Sequence, residues 1–451
     1  MSAMKALRAV AFTFIGALAF TAGTGGGRQV LAQDTTFKGI TLIGNYDPTR
    51  DKISVAVLPV TGAFGDSLRA IIQRDLDFSD RFTILPIEGG DADAARTGGA
   101  ASGLNYSIFQ RLNAAAVVQM TSMPTGIHVA LHDVAKGHVV NVGDFALPSA
   151  GFTRDWRLAV HRASDEIARW MTGQRGIAAT RIAYIRGSGK AAAIRIVDSD
   201  GAGEITVPTD ENGISPAWHP SGTMLAYSTY GDVASRIVLF DLTTANSRTL
   251  TTAPRNTQYI TPNFTADGTS ILYARSGENG SDIYAVGLSG NDAPRRLTAG
   301  RGAENASPTS SPDGRRVVYV GNAGNGAPEL YIMDADGTDA RLLTEYDFSD
   351  KNYRSDPDWS PDGRLIAYQE QIGRNFQIRT IRATGGTPKQ LTSEGVNEQP
   401  SWAPDSRHLV FTSTRSGVRQ LWVLDTETFR MRQLTTSAGS RLAAWSSRLT
   451  Q

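Results

Sequence analysis

Six histidines, His128, His132, His138, His161, His219 and His408, are the first residues to test for chemistry, because imidazole titrates near neutral pH and binds transition metals. His128 and His132 stand four apart in a run that alternates like a strand, so they share a face without making a zincin helix, and no glutamate adjoins His128. With no further ligands at metal-site spacing, all six read as surface or hairpin histidines. Gly287-Leu288-Ser289-Gly290-Asn291 approaches a nucleophile elbow but fails at its last position and lacks a strand–turn–helix setting. Gly187-Ser188-Gly189-Lys190 has neither the earlier glycine nor the following hydroxyl of a phosphate loop. Asp198-Ser199-Asp200-Gly201 and Asp334-Ala335-Asp336-Gly337 resemble calcium loops faintly, but neither has the downstream glutamate, and Asp-Gly is first a hairpin turn. The sequence therefore assigns no catalytic residue, no cofactor and no metal site.

The bulk properties are those of a soluble folded protein of more than one domain. At 451 residues, 40% hydrophobic and 20% charged, the chain is a globular protein too long for one ordinary core. Lys5 and Arg8 precede an apolar run, Ala9 to Phe20, which is too short to span a bilayer, and Val30-Leu31-Ala32 offers a small-residue cleavage pattern. Residues 1–32 read as a signal peptide with Gln33 as the mature N-terminus; a cut near Ala22 or Gly23 is the alternative. Loss of Lys5, Arg8 and Arg28 takes the formal net charge from +1 to −2, and no basic block offsets it, so nucleic acid is not an expected partner. The absence of cysteine excludes disulfides, thiolate metal sites and a lipid-anchoring cysteine. A soluble monomer outside the cytoplasm, with no later membrane span, is expected.

The elements behind these residues are repeated. Pro-x-aromatic followed by a turn recurs at Pro216, Pro262, Pro308, Pro357 and Pro400, with a degraded sixth copy at Ala443-Ala444-Trp445, at spacings of 46, 46, 49, 43 and 43 residues. Each of the first five copies precedes a strand centred on Tyr227, Tyr273, Tyr319, Tyr368 or Phe411. The last copy lacks one, and an unmatched strand, Arg181 to Ile185, stands before the first copy. A third strand alternates in every unit, and a fourth ends most units as Leu-Thr, at Leu297, Leu343, Leu391 and Leu434. Four strands per unit and six units predict a six-bladed all-β propeller over 181–451 whose last strand completes its first blade. Carboxylates gathered round such an axis leave a weak cation in the channel open.

Residues 45–175 read instead as an α/β N-terminal domain with a mixed sheet: a buried strand Ile53 to Val60, a helix from Asp66 to about Arg81, a helix and strand within Tyr106 to Met120, two hairpin strands, Ile127 to Asp133 and Val139 to Phe145, and a closing helix through Trp156 and Trp170. The glycine-rich stretch Asp91 to Gly103 reads as a surface loop.

At Ala163-Ser164-Asp165-Glu166, Thr172-Gly173, Thr180-Arg181-Ile182-Ala183-Tyr184 and the terminal Ala444-Trp445-Ser446, the chain resembles the TolB family, soluble periplasmic components of the Tol-Pal envelope system. The resemblance implies a non-enzymatic scaffold in outer-membrane integrity and cell division. Its implied partners are the inner-membrane-anchored TolA and the peptidoglycan-associated lipoprotein Pal, with other outer-membrane proteins as further partners. By position it puts TolA on 33–44, namely Gln33, Asp34, Thr35, Thr36, Phe37, Lys38, Gly39, Ile40, Thr41, Leu42, Ile43 and Gly44. It puts Pal at the propeller mouth, on loops before the Pro-x-aromatic strands: Gln258, Tyr259, Glu304, Asn305, Arg354, Ser355, Asp356, Glu398, Gln399 and Arg441. Thr265-Ala266-Asp267 lacks the turn proline, Ser310 replaces the aromatic, and 255–260 departs from the family's histidine-containing loop. The competing expectation is a polysaccharide-active lyase or hydrolase in the channel, using Arg354, Asp356, Glu398 and Arg441; sugar or lipid binding without turnover is a third.

Overall fold

The computed structural model describes residues 52–87, 90, 94–95, 103–209, 212–230, 234–290, 292–299, 303–323, 326–344 and 353–449. The expected leader, the segment 33–44 and most of the stretch 91–103 lie outside the described residues.

The chain begins its described part with β1 (Ile53–Val57), α1 (Gly65–Phe78), β2 (Phe82–Leu85), α2 (Tyr106–Arg111), β3 (Ala116–Met123), β4 (Gly126–Asp133), β5 (His138–Ala146) and α3 (Arg154–Thr172). The five strands form one mixed sheet in the order β2-β1-β3-β4-β5. β1 pairs in parallel with both neighbours, and β3 to β5 form an antiparallel meander. Successive residues of a strand face opposite ways, so Val55 and Val57 meet α1 and α3, whereas Ala56 and Leu58 meet Phe109 of α2. Burial on both faces explains why β1 is an unbroken apolar run. α3 starts where the Thr153 side chain accepts the Trp156 N–H at 3.2 Å and stops at Gly173, whose φ of 77° ends the helix. Strand β2 was not expected; its four residues follow α1 too closely to leave a readable period.

The six expected blades are present as six four-stranded antiparallel sheets. Blade 1 combines Arg181–Arg186, Ala193–Asp198 and Ile205–Thr206 with an inner strand from the far end of the chain, Ser440–Trp445. Hydrogen bonding of Trp445 and Ser440 opposite Ile182 and Arg186 closes the ring and removes the open sheet edge. Blades 2 to 6 have inner strands Asn212–Trp218, Gln258–Phe264, Asn305–Ser310, Arg354–Trp359 and Asn397–Trp402. The turns after four of these use Gly222, Gly268, Gly314 and Gly363 at φ of 70 to 75°, but blade 6 puts Ser406 there at φ 57°. Among the described residues no helix is long and apolar enough to cross a membrane.

Candidate functional site

Every inner strand carries one irregularity at the same place. The residue before each Pro, or before Ala443 in blade 1, adopts a left-handed backbone: Ser215, Thr261, Ser307, Asp356, Gln399 and Leu442, at φ of 47 to 58°. The pairing register skips there in all six blades, which makes six β-bulges around one axis. Proline cannot donate to the ladder, and its ring bars the preceding residue from the right-handed helical region, so the repeat favours the bulge in blades 2 to 6, while blade 1 makes the same bulge before Ala443 without a proline. Left-handed backbone is costly for residues other than glycine, and here side-chain bonds from blade to blade hold it. Thr261 Oγ1 accepts the Ser307 N–H at 3.1 Å, and Gln399 Oε1 accepts the Leu442 N–H at 3.0 Å.

These bulges line a channel of about 430 Å³, continued by the prolines, Trp218, Phe264, Trp359, Trp402 and Trp445. Its charged lining residues are Asp356 and Asp358. Burial pushes both carboxyls up to about 6, against the Ser355 and Ser307 hydroxyls at Asp356 and the Trp402 N–H, 2.7 Å away, at Asp358. The channel is thus a hole of mixed polar and apolar lining with two reluctant anions.

The ten residues expected at the propeller mouth are placed differently from the expectation. With the exception of Glu304, which stands just before its strand, they belong to the inner strands and not to loops. Tyr259, Asn305, Arg354 and Ser355 are buried. Asn305 donates to Ser281 O at 3.1 Å, across a blade boundary, and Arg354 is held between Glu329 and Glu370. Asp356 and Gln399 are bulge residues of the channel. Gln258, Glu398 and Arg441 are half-buried and Glu304 is exposed, although Glu398 pairs with Arg419 at 3.2 Å and Arg441 donates to Gly187 O. Arg354, Asp356, Glu398 and Arg441 therefore do not converge as free groups on one substrate position.

Blade junctions repeat a polar clasp that the sequence reading missed. The threonine of each Leu-Thr pair bonds a polar side chain at the start of its blade's third strand: Thr298 to Asp282 at 2.8 Å, Thr344 to Glu329 at 2.9 Å, Thr392 to Gln377 at 2.8 Å and Thr435 to Gln420 at 2.7 Å. The next blade's first inner residue reaches the same group at three junctions, through Asn305, Arg354 and Asn397. The recurring Thr beside an otherwise apolar Leu was the available signal.

A second polar surface joins the α/β part to blades 1 and 6. His132, His161 and His408 are buried at or below 1% exposure, so the surface reading of the histidines fails for these three. His132 is internal to the α/β part, bonded to Tyr106 and Gln119, and burial holds its imidazole down to about 4. His161 and His408 lie at the seam. Asp198 and Asp200 of the blade 1 turn, read as hairpin residues, also belong to the seam and take Arg157 of α3 at 3.0 and 2.7 Å. Asp165 of α3 accepts the Ala178 and Ala179 N–H groups at 2.7 and 3.0 Å, gripping the linker; burial raises its carboxyl to about 7.

The family model described as the TolB beta propeller domain matches residues 169–449, more than half of the chain. The Tol-Pal system protein TolB of Methylococcus capsulatus is 32% identical over 215 residues, 45% of this chain and 48% of that one. TolB of a Polaromonas species is 31% identical over 186 residues, 40% and 41% of the two chains. The chain thus spans less than half the length of these curated relatives. The crystal structure of TolB from Acinetobacter baumannii superposes with a TM-score of 0.74 at 25% identity, covering 89% of this chain and 98% of that one. With its ring of six blades and the α/β part before it, the chain belongs to the TolB β-propeller family.

Proposed function

We propose that the chain is a non-enzymatic periplasmic scaffold of a Tol-Pal system, linking TolA at the inner membrane to the lipoprotein Pal for outer-membrane integrity and constriction at division. The observation that carries this reading is the two-part correspondence with A. baumannii TolB over 89% of the chain, which goes beyond the propeller repeat that unrelated proteins share. The locked state of Arg354 and the pairing of Glu398 count against turnover in the channel. TolA binds residues 33–44 in this reading. Pal meets the propeller mouth at the accessible groups Gln258, Glu304, Glu398 and Arg441, while Tyr259, Asn305, Arg354 and Ser355 hold the inner strands behind them.

The test is a periplasmic crosslinking capture with partners identified by mass spectrometry. Deleting 33–44 is expected to abolish TolA capture and leave Pal capture unchanged, and Glu304→Lys with Glu398→Lys is expected to do the reverse. Equal loss of both partners from either change would sink the division of labour. Turnover of peptidoglycan fragments or uronic polymers that disappears in Glu398→Ala would favour the lyase reading.

A further inference from the structure

The seam between the two parts is built almost wholly of charge. Its compact apolar cluster is three residues, Leu158, Ala179 and Leu449, whereas each part has its own extensive core. Two buried histidines sit at the centres of its charged contacts. His161 of α3 meets Asp75 of α1 through Nδ1 at 2.8 Å, and its Nε2 is 3.9 Å from both Asp198 and Asp200 of blade 1. Arg157 of the same helix, Arg74 of α1 and the Ser164 hydroxyl complete that cluster. His408 of blade 6 meets Asp405 through Nδ1 at 2.7 Å and Asp80, just beyond α1, through Nε2 at 3.2 Å. Around it stand Asp425, held by Arg407, then Glu427, Asp77 with Arg430, Lys52, and Arg81. Arg432 closes the space between the clusters by stacking on Phe78 and donating to Ser199 O at 3.2 Å.

His408 has a carboxylate on both ring nitrogens, one from each side of the seam, whereas His161 has Asp75 on Nδ1 and the Arg157 guanidinium 3.3 Å from Nε2, with Asp198 and Asp200 farther off. A neutral imidazole has one N–H and cannot donate to both, so the geometry at His408 calls for the imidazolium. Clustered carboxylates and an imidazole could suggest a metal, but guanidinium groups already neutralise Asp200, through Arg157 and Arg74, Asp425, through Arg407, and Asp80, through Arg430.

We propose that the seam is a charge latch closed by the proton on His408, and that its release lets the two parts re-orient while each stays folded. The electrostatics agree in direction. Burial lowers both imidazoles, but Asp405 and Asp80 outweigh it and hold His408 at about 9, and Asp75, Asp200 and Asp198 raise His161 above its usual value. A histidine raised in the closed state contributes fully below its free value near 6.5, and that contribution disappears as pH rises through about 9. On the acid side, Asp80, Asp200 and Asp405 are held below the ordinary carboxylate range, burial notwithstanding, so the latch persists into acid. The switch therefore faces alkaline pH.

The chain has no cysteine, so Arg111→Cys on α2 and Arg364→Cys on blade 5, both exposed, accept a unique pair of spin labels in the full-length protein. One narrow inter-label distance is expected at pH 7. It broadens with a midpoint near pH 9 while far-UV circular dichroism stays constant, and His408→Gln is broad already at pH 7. A distance that stays narrow to about pH 10, or broadens only together with loss of the dichroism signal, overturns the proposal. Should His408→Gln not fold, the wild-type titration and the NMR shift of its imidazole still decide, because a His408 neutral at pH 7 also overturns it.

Discussion

The junctions between blades and the seam between the two parts are both buried and polar, yet they are built on different principles. The blade junctions use short groups, threonine hydroxyls and amides, with two carboxylate exceptions, Glu329 paired with Arg354 and Asp282 paired with Arg296, at positions fixed by the repeat. The seam joins surfaces that have separate cores, so nothing but its own contacts fixes their relation. Charge gives orientation without a large apolar area, at the expense of sensitivity to pH and salt. A closed ring tolerates neutral clasps because closure already sets the geometry; an open contact between two bodies does not.

The comparison breaks most directly at the strand that serves both surfaces. Removing residues from Ser440 onward takes away the inner strand of blade 1, and with it Arg448 and Leu449, which bind Gly176 O and pack against Leu158. Loss of the cooperative thermal transition of the whole chain is expected in calorimetry. A truncated ring that still unfolds cooperatively would show that closure is not what holds the blades, and the contrast would fall.

A smaller effect separates the buried Arg354–Glu329 junction from a neutral neighbour. Glu329→Ala leaves the buried Arg354 short of a partner and is expected to cost about 3–5 kcal/mol in urea unfolding. Gln377→Ala strands Thr392 and Asn397, which are neutral, and is expected to cost about 1–3 kcal/mol. Equal costs would mean that charge makes no difference inside the ring.

The two surfaces also differ in how far the sequence discloses them. Pro-x-aromatic spacing, the central tyrosines and the unmatched strand at Arg181 predict the blades and the circular permutation, because one local pattern recurs where backbone geometry demands it. The clasp partners Asp282, Glu329, Gln377 and Gln420 vary in type, so identity conceals what position repeats. The seam occurs once, and no period can point to it. Its only trace is a break in the repeat: Asp405-Ser406-Arg407-His408 replaces the Asp-Gly turn, and Ser406 takes glycine's backbone conformation while its hydroxyl accepts the Asp362 N–H at 2.9 Å. The mouth residues were misread as loops for a related reason. The pattern marks the bulge, and the inner strand already begins two to three residues before it.

The finest distinction is salt. Arg430 spans the seam to Asp77 at 2.7 Å and Asp80 at 3.0 Å, but its side chain is 38% exposed, so solvent screens most of the attraction. Arg430→Gln is expected to cost no more than about 1 kcal/mol at low ionic strength. In about 1 M NaCl, where the screening length falls to about 3 Å, that cost should shrink towards zero. Thr392→Val, which orphans the buried Ile378 N–H at a neutral clasp, should cost about 1–3 kcal/mol in both salts. Urea titrations of the two variants at the two salt concentrations measure this directly. If both costs fall together, the blade junctions depend on charge as the seam does, and the ring's neutral clasps are not the source of its rigidity. If neither falls, Arg430 acts through packing along Asp77 and Asp80, and the seam's charge resides in the two buried histidine clusters alone.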